Sequence, residues 1–216
     1  MNLVEMHDIE LKFGDRLLFG SEDVSIAKPG IYPLIGLNGS GKSTLLRMLA
    51  GIIEPSAGSF ATTGTILYQP QKPAVFRMEV LQNALIGTEA GDKETALKIL
   101  SDVGLAGFES MPAKTLSGGE QQRLHLCRSI LTAGDIMLLD EPFSAIDHKS
   151  AEGLAKYLQN ICVRTGAIML IAMHNLHLAH QVSEHCLLIK NYRLLFCSTT
   201  EGREYLLGEY DHAEQK

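Results

Sequence analysis

Gly36-Leu37-Asn38-Gly39-Ser40-Gly41-Lys42-Ser43 is the stretch on which the reading of this chain turns. The apolar run Ile31 to Ile35 precedes it with the length of a strand, and a helical pattern follows from Lys42 to Ala50, closed by Gly51. Glycines so placed let backbone N–H groups wrap an anion at a helix N-terminus, where the helix dipole adds to the attraction. The spacing is that of a phosphate-binding loop. In such a loop Lys42 meets the β- and γ-phosphates of a nucleotide and the Ser43 hydroxyl binds magnesium. The expected nucleotide contacts are Gly36, Leu37, Asn38, Gly39, Ser40, Gly41, Lys42, Ser43 and the adjoining Thr44.

Outward from the loop, short apolar runs alternate with turns. Ile9 to Phe13, Leu17 to Phe19 and Val24 to Ile26 read as strands, separated by Gly14-Asp15 and Gly20-Ser21. From Gln71 to Thr115 the period becomes helical, in Val80, Leu81, Ala84, Leu85 and again in Ala96, Leu97, Ile99, Leu100, Val103. Alternation then resumes with a helix from Gly119 to Thr132, a strand from Ile136 to Leu139, a helix from Lys149 to Thr165 and a strand from Ala167 to Met173. This pattern predicts a mostly parallel sheet covered by helices. Ser198, three residues before Glu201, predicts the cap of a short helix, and a frayed polar end is expected over Asp211 to Lys216.

Ile136-Met137-Leu138-Leu139-Asp140-Glu141 is a buried strand ending in two carboxylates. Beside a phosphate loop, this pair suits magnesium and an attacking water. Asp140 is the expected metal-side carboxylate and Glu141 the expected general base.

At 216 residues and 45% hydrophobic, the chain can bury the core of one domain, 1–216, carrying an inserted lobe. Its longest apolar runs fall far short of the roughly 20 residues of a membrane helix. No basic flank leads into an apolar stretch at the N-terminus, so no secretory signal is expected. A net charge of −6 with no Lys/Arg cluster argues against a general nucleic-acid binder. Cys127, Cys162, Cys186 and Cys197 lack C-x-x-C spacing and lie in apolar surroundings, which predicts reduced core thiols. His174, His177 and His180 do not share one helix face and no acid or cysteine joins them in sequence, so they are not read as metal ligands.

Leu116-Ser117-Gly118-Gly119-Glu120-Gln121-Gln122-Arg123 specifies a family. It is a second glycine-containing helix start, another anion site, and it resembles the signature motif of the ABC (ATP-binding cassette) family almost letter for letter. The resemblance implies an α/β fold with a P-loop NTPase core, an N-terminal antiparallel β subdomain and an inserted helical lobe over about 72–132. It implies ATP and Mg2+ as ligands, and a homodimer or paired cassette in which Ser117, Gly118 and Gly119 of one copy complete the γ-phosphate site of the other. Other elements resemble the family in order. Phe13 stands where an aromatic stacks on adenine, although a half-buried strand aromatic is the competing reading. Tyr68-Gln69-Pro70-Gln71 resembles the Q-loop, with Gln71 the residue expected near metal and water. Ser144-Ala145-Ile146-Asp147 resembles the D-loop, with Asp147 also suited to cap a helix. His174 resembles the switch histidine, preceded by Met173 where the family usually has Thr.

This resemblance implies a catalytic set of Glu141, His174 and Gln71, and a metal set of Ser43, Gln71 and Asp140. It also implies an ATPase subunit of a transporter, peripheral on the cytoplasmic face of the membrane. Separate permease subunits are the implied partners, with a solute-binding protein as a further candidate if the system is an importer of small solutes. Residues 72–78 then line the permease groove or pack inside the lobe. A soluble ATPase of the same family, acting on nucleic acid or ribosomes, is the alternative.

Overall fold

The computed structural model describes residues 3–72, 74–88, 93–144 and 146–214, with side chains up to 208. Pro73 of the expected groove segment, Ala145 of the expected D-loop, and Gln215 and Lys216 of the tail lie outside the described residues.

Ten strands form one sheet. Its N-terminal part is antiparallel: β1 (Leu3–Phe13) pairs with β2 (Arg16–Ser21), β3 (Val24–Ile26) and β5 (Ala57–Thr63). Its central part is parallel. There β4 (Gly30–Gly36) lies between β8 (Ile168–Ala172) and β9 (His185–Lys190), and β7 (Ile136–Asp140) lies between β8 and β6 (Ile66–Gln69). The last strand, β10 (Arg193–Ser198), runs antiparallel to β9 and parallel to β2, joining the two parts.

Every residue of β7 and β8 is buried, as expected for strands covered on both faces. Successive side chains point to opposite sides. Ile136, Leu138, Ile168 and Leu170 pack with Leu45, Leu46 and Leu49 of α1 (Lys42–Leu49) in one core layer. Met137, Leu139, Met169 and Ile171 enter the other layer. That layer also contains residues of α4 (Gly118–Leu131), α5 (His148–Thr165), α6 (Leu176–Val182) and α7 (Thr199–Glu214). A Leu buried in such a layer is worth about 1.5–3 kcal/mol relative to exposure, so the alternation itself holds the strand ends in register.

Between β6 and α4 lie α2 (Val80–Ala84) and α3 (Lys93–Asp102), packed on each other and on α4. Asn83, fully buried on α2, ties down the preceding loop: its side chain accepts from the Phe76 N–H at 3.0 Å and donates to the Phe76 carbonyl at 3.1 Å. Arg128 of α4 lies over the Phe76 ring and donates to the Ala74 carbonyl at 2.6 Å. Within the segment expected either to line a groove or to pack inside the lobe, Val75 is buried, whereas Phe76 and Met78 are exposed.

The C-terminal expectation is corrected. Ser198 does cap the last helix, accepting from the Glu201 N–H at 3.1 Å. The helix then continues to Glu214 through most of the stretch expected to fray. Gly202 and Leu206 pack it onto the sheet, Gly202 beside Ile35 and Cys186, and that docking is a tertiary contact that local polarity does not encode.

Candidate functional site

The loop between β4 and α1 sits at the C-terminal end of the parallel strands, where open α/β sheets place their ligand crevice. Gly36 leaves β4 in a space too tight for a side chain: a Cβ there would lie 2.8 Å from the Ser40 hydroxyl and 2.9 Å from the Ile189 carbonyl. Gly41 caps α1 at φ 105°, a left-handed conformation that L residues rarely adopt, with Phe19 at 3.0 Å from a built Cβ. Between them, Asn38 and Gly39 are exposed.

Lys42, buried, folds over this loop and donates from Nζ to the carbonyls of Gly36 at 2.8 Å and Leu37 at 3.1 Å. Burial lowers its pKa from the ordinary lysine value, and the nearby carboxylates of Glu141 and Asp140 oppose the shift. Its two carbonyl contacts are replaceable, because the flexible stem allows an ammonium to exchange them for phosphate oxygens.

Asp140 ends β7 almost wholly buried, and burial raises its pKa above the ordinary carboxylate range, against a hydrogen bond from the Ser43 side chain. Its Oδ1 has no hydrogen-bond partner among the described residues. An orphaned buried carboxylate oxygen beside a serine hydroxyl is a hard, all-oxygen donor set, which fits magnesium and not a soft metal.

Glu141 adopts φ 52°, a region that costs a non-glycine residue about 1–3 kcal/mol and persists only where neighbours enforce it. Those neighbours are identifiable. The Glu141 N–H donates to the Ala172 carbonyl at 3.1 Å, and its carbonyl accepts from Gln122 Nε2 at 2.7 Å and Ser144 Oγ at 3.0 Å. Held this way, the side chain projects between two partners: Oε2 accepts from Gln71 Nε2 at 2.8 Å, and Oε1 lies 2.5 Å from His174 Nε2.

Lys42, Ser43, Thr44, Asn38, Gly39 and Gly41 line a cleft of about 370 Å³ together with Gln71, Glu141 and His174. Phe13, 80% exposed, stands on the same cleft, so it is not the half-buried strand aromatic of the competing reading. Gly36, Leu37 and Ser40 lie in the loop behind it. Ser117, Gly118 and Gly119 are not part of this cleft's lining. Ser117 instead caps α4 in a capping box, bonding reciprocally with Glu120, and those bonds lower the Glu120 pKa. Asp147 caps α5 by accepting from the Ser150 N–H.

Three residues of this site escaped the sequence reading. Arg16 and Leu18 of β2 line the cleft with Phe13. Gln122, inside the signature stretch but given no role of its own, is the buried side chain that links α4 to Glu141. A polar residue on the buried face of α4 was the one local signal for it.

Comparison with known proteins gives one answer. The sequence profile of the ABC transporter family matches residues 21–144. The chain is 32% identical, over 224 aligned positions covering 99% of it and 92% of the relative, to the aliphatic sulfonates import ATP-binding protein SsuB 2 of Nocardia farcinica. It is 34% identical over 75% of its length to the cytochrome c biogenesis ATP-binding export protein CcmA of Pseudomonas syringae pv. syringae, spanning 84% of that protein. Among solved structures, a chain of a ribosome-bound archaeal Pelota and ABCE1 assembly superimposes with a TM-score of 0.84 and 25% identity over 97% of this chain but 37% of that one. With the phosphate loop, the buried carboxylate strand and the capped signature helix in one fold, this chain belongs to the ABC transporter family as an ATP-binding, ATP-hydrolysing transporter subunit.

Proposed function

We propose that two copies of this chain, or this chain and a paired cassette, bind two ATP molecules between them and hydrolyse each with residues from both. Supporting this reading above all is the division of parts: the cleft holds the phosphate loop, Gln71, Glu141 and His174, while the Ser117 to Gly119 turn lies outside it. One anion-binding helix start faces the phosphates from its own chain, and the second is left for the partner's nucleotide.

Phe13 stacks on the adenine ring, and the N–H groups of residues 36–44 with the Lys42 ammonium hold the phosphates. Ser43, Asp140 and Gln71 would hold the magnesium ion, which when bound offsets charge on the phosphate oxygens. Glu141 orients a water against the γ-phosphate and accepts its proton. His174, 2.5 Å from Glu141 Oε1, holds that carboxylate in place and reaches the γ-phosphate side of the cleft. The whole chain acts as one domain with residues 72–132 as its helical lobe.

The transmembrane partner docks, in this reading, on the lobe. Arg77, Met78, Glu79, Gln82, Pro112 and Lys114 line an apolar groove there, next to exposed Phe76. No described helix is long and apolar enough to cross a membrane; docking on a transmembrane partner would hold the chain at the cytoplasmic membrane face. A solute importer is the favoured system, because the relative matched over nearly its full length is named for sulfonate import. A solute-binding protein then completes the assembly.

Mixing tests the composite site. Ser117→Arg and Lys42→Ala chains should each be inactive alone, and a 1:1 mixture should recover about a quarter of wild-type ATPase turnover, since half the dimers are mixed and each contains one intact site. No recovery, with mixed dimers present, refutes the arrangement.

A further inference from the structure

α5 and α6 bring together two side chains one helical turn apart and a third that the sequence keeps far from them. His148 opens α5 directly after its Asp147 cap, Glu152 follows one turn on, and His177 lies near the start of α6. His148 Nδ1 is 3.4 Å from Glu152 Oε1, and the His148 and His177 rings lie with centroids 5.5 Å apart. One ligand atom from each of the three lies within 4.8 Å of the others. The ligand atoms of a tetrahedral ion with bonds near 2.0–2.1 Å stand about 3.3–3.5 Å apart, so the first pair already has that spacing and His177 closes the set by a small rotation. The acid that the sequence reading found missing beside His177 is supplied by the neighbouring helix.

Gln181 borders this group. Its Nε2 donates to Glu152 Oε1 at 3.0 Å and lies 3.0 Å from His177 Nε2. A metal would take the Nε2 lone pair of a neutral His177.

We propose that His148, Glu152 and His177 form a second metal site, separate from the nucleotide's, which takes a borderline divalent transition ion such as Zn2+ with water in the remaining position. Two imidazoles and one carboxylate favour such an ion over magnesium or calcium, which take oxygen donors. The site's position suggests what it does. His148 follows the loop Ser144 to Asp147, and His177 lies three residues after His174. An ion bridging them pins the start of α5 to the start of α6, joining the loop before α5 to the one that carries His174.

The test titrates the purified full-length chain with Co2+ as a spectroscopic stand-in for Zn2+, with excess Mg2+ present and Cys197→Ser as background to remove the most accessible thiol. One equivalent should bind with an affinity of about 10 μM or tighter and a tetrahedral visible spectrum free of thiolate charge-transfer bands. Zn2+ should displace it. His148→Ala and His177→Ala, both at exposed positions, should each weaken binding about tenfold or more while metal-free melting and circular dichroism stay as in wild type. Unchanged affinity in both variants, thiolate bands, or no saturable binding overturns the proposal. Because the readout is metal binding without nucleotide, it stands or falls independently of the composite ATP site.

Discussion

Replacing Glu141 by Gln removes one charge and leaves the shape, so its two consequences can be separated by size. In the folded chain the carboxylate accepts from Gln71 Nε2 and is held by His174 Nε2. A carboxylate only accepts, whereas an amide accepts on one side and donates on the other, so one of the two contacts must reverse. Gln71 is exposed and can turn its own amide to present oxygen. The ground-state loss is then the charge assistance to a histidine that is itself 38% exposed, about 1 kcal/mol after solvent screening. For a domain of this size that is a fall of about 2–4 °C in Tm. The chemical loss is larger. A positioned general base contributes about 10²–10⁴-fold, so Glu141→Gln should lower the single-turnover hydrolysis rate by that factor while ATP affinity, read by a fluorescent analogue, changes little. The slowed protein should accumulate as ATP-bound dimers in size-exclusion chromatography. Turnover within about threefold of wild type, or a rate loss matched by an equal loss of affinity, would refute the assignment of the base.

Three further outcomes follow from other contacts. Gln122→Ala strips one of three donors from the strained Glu141 carbonyl while Ser144 keeps the other two, its hydroxyl and its backbone N–H, so it should cost about 1 kcal/mol in a denaturant melt and lower kcat with little change in KM for ATP; an unchanged kcat would break the proposed link between α4 and the base. Phe13→Ala should leave the melting temperature alone, because the ring is exposed, yet weaken ATP binding by about 5–150-fold, the equivalent of 1–3 kcal/mol of stacking; equal affinity removes the ring from the adenine site. Cys197 should be the first thiol alkylated near pH 8, because the hydrogen bond from Cys186 holds its pKa below the ordinary 9.0 while burial pushes Cys127 and Cys162 up to about 12. Since thiolate is the reactive form, that selectivity should narrow as pH rises toward the buried thiols' range, and labelling of Cys127 ahead of Cys197 in mass spectrometry would contradict it.

Continuous stretches were legible in the sequence for a physical reason. A phosphate loop works through consecutive backbone N–H groups, a buried parallel strand needs a short unbroken apolar run, and a helix start needs its cap three residues before its acid. Each requirement is local, so residues 36–44, Ile136 to Glu141 and Ser117 to Glu120 could be read directly. Segments without local contrast were not. β5 is small and polar because it sits exposed beside β1, and its pairing partner is more than forty residues away. The hairpin of β9 and β10 turns through Asn191 and Tyr192, both with positive φ, and a tyrosine there gives little of the glycine signal such turns usually carry.

What the sequence by itself determined is the list of chemical parts and the order of elements carrying them: phosphate loop, paired carboxylates, signature helix, switch histidine. What the tertiary structure alone decided is which parts meet. Gln71, Glu141 and His174 are separated by long stretches of chain and converge because three parallel strands, β6, β7 and β8, end side by side. The same packing sets Gln122 under the Glu141 carbonyl and His177 against His148 and Glu152, contacts between elements whose relative placement depends on the buried layer beneath them. Spacing along a chain encodes distances only within one element; across elements, it is the core that measures them.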